Sequence, residues 1–572
     1  MRLRLAFFSF AVVLCAFALA QTTPVAFVNQ PLRPTSVNPG HAAFTLNVSG
    51  TGFKSGAVVN WNGSARTTTF VSASKLQAAI TATDVAKPGT AAINVVNPGA
   101  QASNTAYFLV HAPSAAVAFA RRDLPVTSAY FPGGYALGDF NHDGKLDIAV
   151  GGYQNPDYTL EVFLGKGDGT FQSPVTTIST YQPASLLAAD LNGDGRLDLL
   201  LQDPSGSTMV FLGNGDGTFA GQSFFGSVDY ASSLAADLNR DGKLDFLTVG
   251  GGFSQGGYYE AAFLGNGDGT FVSSQGFQLS IQSGIPALGD FNHDGKLDLA
   301  VGGFEGPSYA VDVFLGNGDG SFQNPVSYTT TFPVNAVAAA DINGDGNLDL
   351  VTDGVSVLLG KGDGTFTETA DYSVAVNPVS IQLADINNDG RLDAVLVQSS
   401  NNYPPIESYS IMLGNGDGTF QNPVSWNSDT YIFPGGPGVG DFNGDGKLDL
   451  VDLNTNALTA WSTVTVLLQT TLEVSPTLMN FGAVNVGSSS TQTLTLTNVG
   501  ARTLPLGPIH LVGPASGYSV NSGCGKSLAS GASCPVEVTF TPASKKTLTA
   551  IVGVAYQDTG TPQYIELTGS GN

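Results

Sequence analysis

Seven copies of one nine-residue sequence carry the metal-binding chemistry of this chain. Each copy reads Asp-x-Asn-x-Asp-Gly-x-Leu-Asp, and successive copies begin 44 to 56 residues apart. Side-chain oxygens fall at positions 1, 3, 5 and 9, and glycine at position 6 permits a sharp turn. A hard cation such as Ca2+ takes about six to eight oxygens from such a loop, including the position-7 backbone carbonyl. The pattern therefore predicts up to seven Ca2+ ions as cofactors.

The predicted ligands occupy positions 1, 3, 5, 7 and 9 of each copy. In chain order they are Asp139, Asn141, Asp143, Lys145, Asp147; Asp190, Asn192, Asp194, Arg196, Asp198; Asp237, Asn239, Asp241, Lys243, Asp245; Asp290, Asn292, Asp294, Lys296, Asp298; Asp341, Asn343, Asp345, Asn347, Asp349; Asp385, Asn387, Asp389, Arg391, Asp393; and Asp441, Asn443, Asp445, Lys447, Asp449.

Two other interpretations of the nonamer are less favoured. An EF-hand needs a bidentate glutamate at position 12, whereas six copies carry an uncharged residue there and the seventh carries Asp452, which we expect on a solvent-facing strand. The residues after each loop are β-like, so we predict a loop between two strands of a hairpin. A metal-free turn is the second alternative, because Asp, Asn and Gly favour turns. Three carboxylates within nine residues repel one another, however, and this favours a bound cation; Mg2+ prefers a more rigid, water-rich octahedron.

Composition excludes some classes of protein. The 572 residues carry a formal charge of -24, and the seven loops hold 21 of the 46 acidic residues. Such a chain lacks the basic surface that nucleic acid requires. The 72 glycines and the 12% of charged residues suit a turn-rich all-β protein.

The N-terminus has the pattern of a secretory signal peptide. Residues 1–20 combine a basic start with a short apolar run that ends Ala18-Leu19-Ala20. The leucine before Cys15 fits a lipoprotein cleavage site poorly. No later apolar run is long enough for a membrane span. We therefore expect a secreted, soluble chain, with the cell surface or periplasm as other possible destinations.

Residues 21–113 alternate polar and apolar residues between turns, which predicts a β-sandwich. The strings Val48-Ser-Gly-Thr-Gly-Phe53 and Val58-Val-Asn-Trp-Asn-Gly63 resemble those of IPT/TIG domains, which are immunoglobulin-like modules that usually act as spacers.

Residues 114–470 are the repeat region. Each unit of about 50 residues reads as four strands, with the metal loop between the first and second, so seven units predict a seven-bladed β-propeller. The last unit stops at Leu468, and its missing fourth strand matches residues 116–127, which would close the circle. The region resembles FG-GAP/VCBS repeats, as in the integrin α-subunit propeller. That resemblance implies metal loops on one face and ligand-binding loops on the other.

Residues 471–572 form a further β module. The strings Thr493-Leu-Thr-Leu-Thr-Asn498 and Val538-Thr-Phe-Thr-Pro542 resemble the ASH/choice-of-anchor-D group of immunoglobulin-like domains. Cys524 and Cys534 form a predicted disulfide, with two free thiols as the alternative. No basic-tailed hydrophobic anchor is expected at the end of the chain.

Two further sets of residues could contribute to binding. Six Gly-Asp-Gly turns could add metal ligands, although simple hairpin turns are favoured: Asp168, Asp216, Asp268, Asp319, Asp363 and Asp417. Aromatic residues in the remaining blade loops are expected on the face opposite the metal loops, where they could bind sugars or proteins or merely pack locally: Tyr130, Phe131, Tyr153, Tyr158, Tyr181, Tyr230, Tyr258, Tyr259, Phe304, Tyr309, Phe332, Tyr403 and Tyr431.

No residue set supports catalysis. Ser254 lies in a G-x-S-x-G string, but a glycine-rich blade loop lacks the strand-to-helix turn of a nucleophile elbow. No histidine has zinc spacing. The sequence favours a non-enzymatic adhesion or recognition protein that binds an extracellular protein or glycan, and we expect a monomer. A carbohydrate-binding lectin and an extracellular polysaccharide-active enzyme are the alternatives.

Overall fold

The computed structural model describes residues 24–111, 117–125, 134–154, 157–227, 231–252, 257–274, 276–279, 282–305, 308–372, 377–399, 407–428, 431–432, 438–455, 462–476, 478–499, 503–512, 516–556 and 563–572. Within these ranges the chain forms strands and turns, and no segment is helical. The predicted all-β class is confirmed. The described residues accordingly contain no helix that could span a membrane. The predicted signal peptide lies outside them.

The N-terminal unit, residues 24–111, consists of two packed sheets. Its strands are β1 (Phe27–Val28), β2 (Ser36–Val37), β3 (Phe44–Thr51), β4 (Val58–Trp61), β5 (Ser64–Ala65), β6 (Thr68–Ser72), β7 (Lys75–Ile80), β8 (Gly89–Val96) and β9 (Ala106–Val110). One sheet has the order β1-β3-β7-β6 and the other β2-β9-β8-β4-β5. Alternate residues of β3 and β8 point inward and enclose a core that includes Phe53, Trp61 and Phe108.

The repeat region forms seven antiparallel sheets, here called sheets 1 to 7. Its strands are β10 (Ala118–Pro125), β11 (Tyr135–Gly138), β12 (Asp147–Gln154), β13 (Asp157–Phe163), β14 (Val175–Ser179), β15 (Ser185–Ala189), β16 (Asp198–Gln202), β17 (Ser207–Gly213), β18 (Phe219–Ser227), β19 (Ala231–Ala236), β20 (Asp245–Gly252), β21 (Gly257–Gly265), β22 (Phe271–Ser273), β23 (Phe277–Leu279), β24 (Gln282–Ser283), β25 (Ala287–Gly289), β26 (Asp298–Glu305), β27 (Ser308–Phe314), β28 (Val326–Thr330), β29 (Val337–Ala340), β30 (Asp349–Thr352), β31 (Ser356–Gly360), β32 (Phe366–Asp371), β33 (Asn377–Ala384), β34 (Asp393–Ser399), β35 (Glu407–Met412), β36 (Val424–Ser428), β37 (Tyr431–Ile432), β38 (Gly438–Gly440), β39 (Asp449–Thr455) and β40 (Ser462–Thr470).

Strand order repeats from sheet to sheet. Sheets 1 and 2 are β11-β12-β13-β14 and β15-β16-β17-β18; sheet 3 is β19-β20-β21 with β22 and β23; sheet 4 is β24 and β25 with β26-β27-β28; sheets 5 and 6 are β29-β30-β31-β32 and β33-β34-β35-β36. Second strands are largely apolar after their first aspartate, as in the fully buried β16, because neighbouring sheets cover both of their faces. Outer strands such as β14 alternate between half-buried and exposed residues over most of their length.

Apolar clusters lie between successive sheets. One example is the cluster of sheets 1 and 2, which contains Leu160 and Leu199. Equivalent clusters join sheets 2 and 3, 3 and 4, 4 and 5, 5 and 6, and 6 and 7. Another unites Ile148 and Phe163 of sheet 1 with Val451 and Val464 of sheet 7. Sheet 7 therefore packs on sheet 1.

The outer strand of sheet 7 comes from the beginning of the repeat region. Strand β10 pairs antiparallel with β40, and Ala118 lies opposite Thr470 while Pro125 lies opposite Thr463. The order of the sheet is β10-β40-β39, followed by β37 and β38. This confirms the prediction that residues near 116–127 supply the missing strand of the last unit.

The C-terminal unit, residues 472–572, is again a pair of sheets. Its strands are β41 (Leu472–Ser475), β42 (Leu478–Val484), β43 (Ser490–Asn498), β44 (Leu504–Val512), β45 (Tyr518–Ser522), β46 (Ser527–Leu528), β47 (Ser533–Phe540), β48 (Thr547–Tyr556) and β49 (Gln563–Gly571). The sheets have the orders β41-β43-β47-β45 and β42-β49-β48-β44-β46. A disulfide joins Cys524 to Cys534, whose Cα atoms are 5.2 Å apart.

Candidate metal centre

Each nonamer lies where the first strand of a sheet turns into the second. In sheet 1 the loop leaves β11 at Gly138 and enters β12 at Asp147, and these two residues are paired across the hairpin. The other six loops occupy the same place in their sheets. The prediction of a loop between two strands of a hairpin is confirmed.

Positions 1, 3 and 5 turn their side-chain oxygens toward the loop's own backbone. In the first loop, Asp139 Oδ2 accepts the Gly144 N–H at 2.8 Å, and Asp139 Oδ1 and Asn141 Oδ1 both accept the Asp143 N–H at 3.1 and 2.9 Å. Asp143 Oδ1 in turn accepts the Lys145 N–H at 3.0 Å. In all seven loops the position-1 carboxylate accepts the position-6 N–H at 2.8–3.2 Å. These oxygens therefore lie close together in every copy.

Position 9 serves as a clamp between the loop and the third strand. Asp298 Oδ2 accepts the Phe291 N–H of its own loop at 2.8 Å, and Oδ1 accepts the Gly316 N–H just beyond β27 at 2.8 Å. All seven position-9 aspartates make both bonds, with the second donor at Gly165, Gly213, Gly265, Gly316, Gly360, Gly414 or Gln469. Each of these aspartates is fully buried. The sequence predicted a ligand here but did not predict the clamp.

Burial and like charge raise the pKa of the position-9 carboxylates. Burial is the largest cause of the rise to about 7 for Asp147, and Asp139 and Asp143 of the same loop raise it further against its two backbone hydrogen bonds. The pKa of Asp393 rises to about 8 for the same leading reason. A nearby cation would relieve both effects, because it favours the charged form of a carboxylate.

The side chain at position 7 places a positive charge beside the loop carboxylates in most copies. Its lysine or arginine reaches the position-5 carboxylate at 2.9–3.9 Å in six loops, as Lys296 does with Asp294 at 2.9 Å. The fifth loop has Asn347 instead. One of the three carboxylates is thus paired with a position-7 side chain in six loops, whereas in the fifth the Arg33 guanidinium of the N-terminal unit lies 3.5 Å from Asp341.

The oxygen donors of the loops fit a hard cation, although the three carboxylates of a loop do not converge on one point. Among the described residues, which include all seven loops, no three His, Cys, Asp or Glu side chains stand close enough together to hold a metal ion. The physical reason is that position 3 is an amide and position 9 faces two backbone donors. The oxygens of positions 1, 3 and 5 are the hard donors that Ca2+ prefers.

Three features of the loops were not recognised from the sequence. Position 2 is apolar and buried in every copy, from Leu191 at 0% exposure to Leu238 and Ile342 at 5%. Position 4 has positive φ throughout, including His142 and His293 at 59°. Residues of the N-terminal unit also contact the loops. The sequence signal for the buried position 2 was its repeated Phe, Leu or Ile. The signal for positive φ at position 4 was its Gly, His, Asn or Arg.

The Gly-Asp-Gly aspartates are bound within their own turns. Asp168 Oδ1 accepts the backbone N–H of Thr170 at 2.9 Å and its hydroxyl at 2.5 Å. The Thr170 hydroxyl is the leading reason that the pKa of Asp168 lies below its ordinary value. The other five turns repeat this arrangement. These aspartates are placed as hairpin-turn residues.

The expectation for Asp452 is wrong. Its side chain is 1% exposed rather than facing solvent, and it accepts a hydrogen bond from the Tyr409 hydroxyl of sheet 6. Strand β39 is covered by β34 and β35 of the neighbouring sheet, and this burial places the carboxylate between sheets.

The predicted aromatic surface is described only in part. Tyr153 and Tyr158 pack against each other across a hairpin with ring centroids 5.1 Å apart, and Phe304 and Tyr309 do so at 5.6 Å. Phe304 is 45% exposed. The side chains of Tyr130, Phe131, Tyr230, Tyr258, Tyr259, Tyr403 and Tyr431 lie outside the described residues, as does Ser254.

Comparison with known families identifies two kinds of module. An FG-GAP-like repeat model matches residues 139–201, 190–248, 290–352, 352–396 and 385–451, and all seven loops lie within these matches. A HYDIN/CFA65/VesB-like Ig-like domain model matches residues 470–570. The chain contains FG-GAP-like repeats and an Ig-like domain.

Similarity to individual proteins is local or distant. Cartilage acidic protein 1 of Xenopus tropicalis and that of Mus musculus are each 34% identical over 100 residues, 16% of this chain and 16% of theirs. The chain thus spans about a sixth of the length of these curated relatives. BBS1N, solved in complex with ARL6DN, is 11% identical with a TM-score of 0.39 and covers 60% of this chain and 96% of its own. An auxiliary nutrient binding protein from Bacteroides ovatus is 11% identical with a TM-score of 0.31 and covers 78% and 98%.

Proposed function

We propose that this chain is a secreted, non-enzymatic adhesion or recognition protein whose seven sheets are blades of a closed β-propeller stabilised by Ca2+. The observation that carries the proposal is the sevenfold recurrence of one loop with clustered side-chain oxygens and a buried ninth carboxylate. The FG-GAP-like repeats support a role in recognition. The flanking units would act as an IPT/TIG-like module and an ASH-like module of the immunoglobulin type.

Closure of the propeller is supported by the cluster between sheets 7 and 1 and by the pairing of β10 with β40. First strands of successive sheets contact one another, as β11 does with β15 and β29 with β33. These contacts support blades whose first strands would line a central axis. The metal loops, which follow the first strands, would then form a ring around one end of that axis.

Calcium would act by neutralising each loop. Asp, Asn and backbone oxygens at positions 1, 3, 5 and 7 would hold the ion, with the clamped position-9 carboxylate beside them. Binding to the folded state alone stabilises it by about 2.7 kcal/mol per site at a concentration 100 times the Kd. Chelation should therefore lower the melting temperature markedly, and added Ca2+ should restore it more fully than Mg2+.

A matched pair of aspartates tests the ligand assignment. Asp194 at position 5 is exposed and its described partners lie within its own loop, so Asp194→Ala should leave the sheets folded and remove one Ca2+ per chain. Asp216→Ala, in the Gly-Asp-Gly turn of the same sheet, should leave the count unchanged. Metal analysis of dialysed protein measures both. Equal stoichiometry in the two variants would refute the assignment.

Carbohydrate binding is a second candidate, supported by the aromatic pairs. Tyr153 and Phe304 lie about six residues along their strands from the loop aspartates, or about 20 Å away at the rise of a β-strand. Exposed aromatic rings suit sugar faces. Glycan-array binding that is lost in Phe304→Ala but kept in Phe70→Ala, which alters an exposed ring of the N-terminal unit, would support it. Equal binding by both variants would refute it.

A further inference from the structure

The N-terminal unit donates hydrogen bonds to the first aspartates of three successive loops. The Val25 N–H reaches Asp237 Oδ2 at 2.7 Å, and the Thr51 hydroxyl reaches Asp290 Oδ2 at 3.1 Å. The Arg33 guanidinium lies 3.5 Å from the same oxygen of Asp341. The unit therefore contacts predicted metal ligands themselves, and it does so at an equivalent atom each time.

Other loops meet the N-terminal unit through backbone and amide groups. Gln101 Oε1 accepts the Leu244 N–H of the third loop at 2.8 Å. In the sixth loop, the Asn388 side-chain amide donates to the His111 carbonyl. In the seventh, a Cβ added to Gly446 would lie 2.6 Å from Gly89 N. Contacts thus extend around the ring rather than to one side.

Apolar residues of the N-terminal unit also enter clusters of the sheets. Val25, 7% exposed, lies in the cluster of sheets 2 and 3 with Leu191. Leu109, 3% exposed, lies in the cluster of sheets 6 and 7 with Ile386. Buried apolar contacts at two separated points indicate a built interface rather than a chance touch.

Two side chains of the N-terminal unit lie close to the backbone at position 4 of the loops. Position 4 of the second and fifth loops is glycine, whereas the first and fourth have histidine there. A Cβ on Gly193 would lie 2.6 Å from Gln101 Nε2, and one on Gly344 would lie 3.2 Å from Arg33 Nη2. The N-terminal unit thus approaches the position-4 backbone of both loops, where glycine is already favoured by φ of 75° and 78°.

We propose that cation loading of the seven loops holds the N-terminal unit on the ring, and that removal of the ions releases it. This inference rests on the proposed calcium function. The donors of Val25, Thr51 and Arg33 need position-1 carboxylates in fixed places. A loop without its cation contains uncompensated, mutually repelling carboxylates, and it loses that fixed placement.

A competing effect acts in the opposite direction. Residues 24–111 carry five lysines and arginines against one acidic residue, a formal charge of +4, so a metal-free acidic ring would attract them more strongly. Lys54, Lys75 and Lys87 are exposed, however, and exposed charges are screened over about 8 Å at physiological ionic strength. We therefore expect the hydrogen bonds to specific loop atoms, rather than this long-range attraction, to determine whether the N-terminal unit stays bound to the loops.

Hydrogen exchange of the full chain tests the proposal. In Ca2+, the amides of Val25 and Leu244 should be protected. Chelation should speed their exchange by about tenfold or more, as expected for local opening, while amides inside β3 keep their protection. Metal analysis of the same samples counts the bound ions.

A double variant separates the interface from the ions. Thr51→Val with Gln101→Ala should speed exchange at Val25 and Leu244 in calcium without lowering the metal count. Thr45→Val with Gln77→Ala, which alters the same residue types within the N-terminal unit, is the matched control. Its exchange at these two amides should equal that of the natural chain.

Three other outcomes would each contradict a different part of the argument: the calcium dependence, the docking contacts or the calcium binding itself. If the ions are removed and the two amides keep their protection, or if chelation increases protection and salt reduces it, the proposal is wrong while calcium binding stands. If the interface variant exchanges like its control, the docking is wrong. If metal analysis finds no bound ion in calcium, the proposed function fails and this inference fails with it.

Discussion

Sheets 1 to 6 of the repeat region each contain two acidic, glycine-bearing turns, and the carboxylates of these two turns lie in opposite environments. In sheet 4, Asp298 of the metal loop is fully buried and its pKa is raised to about 7, chiefly by burial. Asp319 of the Gly-Asp-Gly turn is exposed, and hydrogen bonds from Ser321 lower its pKa. The residue types are the same, so burial is what separates a carboxylate with a raised pKa from one with a lowered pKa.

Removing these two carboxylates in turn should give the largest difference in stability. Asp298→Ala leaves two buried N–H groups without acceptors, those of Phe291 and Gly316, and each unsatisfied group costs about 1–3 kcal/mol. We expect a loss of about 2–6 kcal/mol in stability with or without Ca2+. Asp319→Ala, whose partner Ser321 remains open to water, should cost about 1 kcal/mol or less. Urea unfolding of both variants measures the difference, and similar midpoints would show that the clamp is not structural.

Two glycines of the same sheet should show a smaller contrast. A Cβ on Gly316 would lie 2.1 Å from the Leu297 carbonyl oxygen, so Gly316→Ala must displace the backbone that donates to Asp298. Such overpacking should cost about 3 kcal/mol. Gly318 has φ of 77°, and its added Cβ would meet the flexible side chains of Lys296 and Arg240, so Gly318→Ala should cost about 1 kcal/mol for its left-handed backbone.

Thermal unfolding in excess Ca2+ checks this pair. A Gly318→Ala variant that is as unstable as Gly316→Ala would mean that backbone conformation, rather than contact with the loop, makes glycine necessary at both positions.

Much of the fold could be predicted because the repeat is explicit in the sequence. The spacing of the nonamers predicted the loop between two strands, and the unmatched strand near residue 119 predicted the partner of β40. Both predictions needed only local pattern and counting. The wrong expectation for Asp452 came from treating its strand as half-exposed, although packing between sheets buries both faces.

The rest of the site depends on contacts between residues far apart in the chain. The clamp joins Asp298 to Gly316, and the N-terminal unit joins Thr51 to Asp290. Neither pair has a spacing that secondary-structure patterns can show. The glycines after Phe-Leu in the third strands were visible, but their collision with the position-8 carbonyl requires coordinates.

A buried aspartate outside the metal loops allows buried and exposed carboxylates to be compared within one sheet. Asp353 is fully buried beyond the end of β30, and it accepts hydrogen bonds from the Asn335 N–H at 2.9 Å and the Asn335 side-chain amide at 3.0 Å. Burial, the largest cause, raises its pKa from 3.8 to about 6 against these bonds. Asp363→Asn, in the Gly-Asp-Gly turn of the same sheet, is the matched control for Asp353→Asn.

The pH dependence should have opposite signs for the two acids. Because the folded pKa of Asp353 exceeds the unfolded one, its ionisation opposes folding, and stability falls as the pH rises from about 4 through 6. Relative to the natural chain, Asp353→Asn should therefore gain about 1–3 kcal/mol between pH 4 and 8 in constant, saturating Ca2+. The pKa of Asp363 is lowered by the Thr365 hydroxyl, so its contribution is present above pH 4 and is lost only at lower pH. Parallel pH profiles of unfolding for both variants would show that burial does not distinguish these carboxylates.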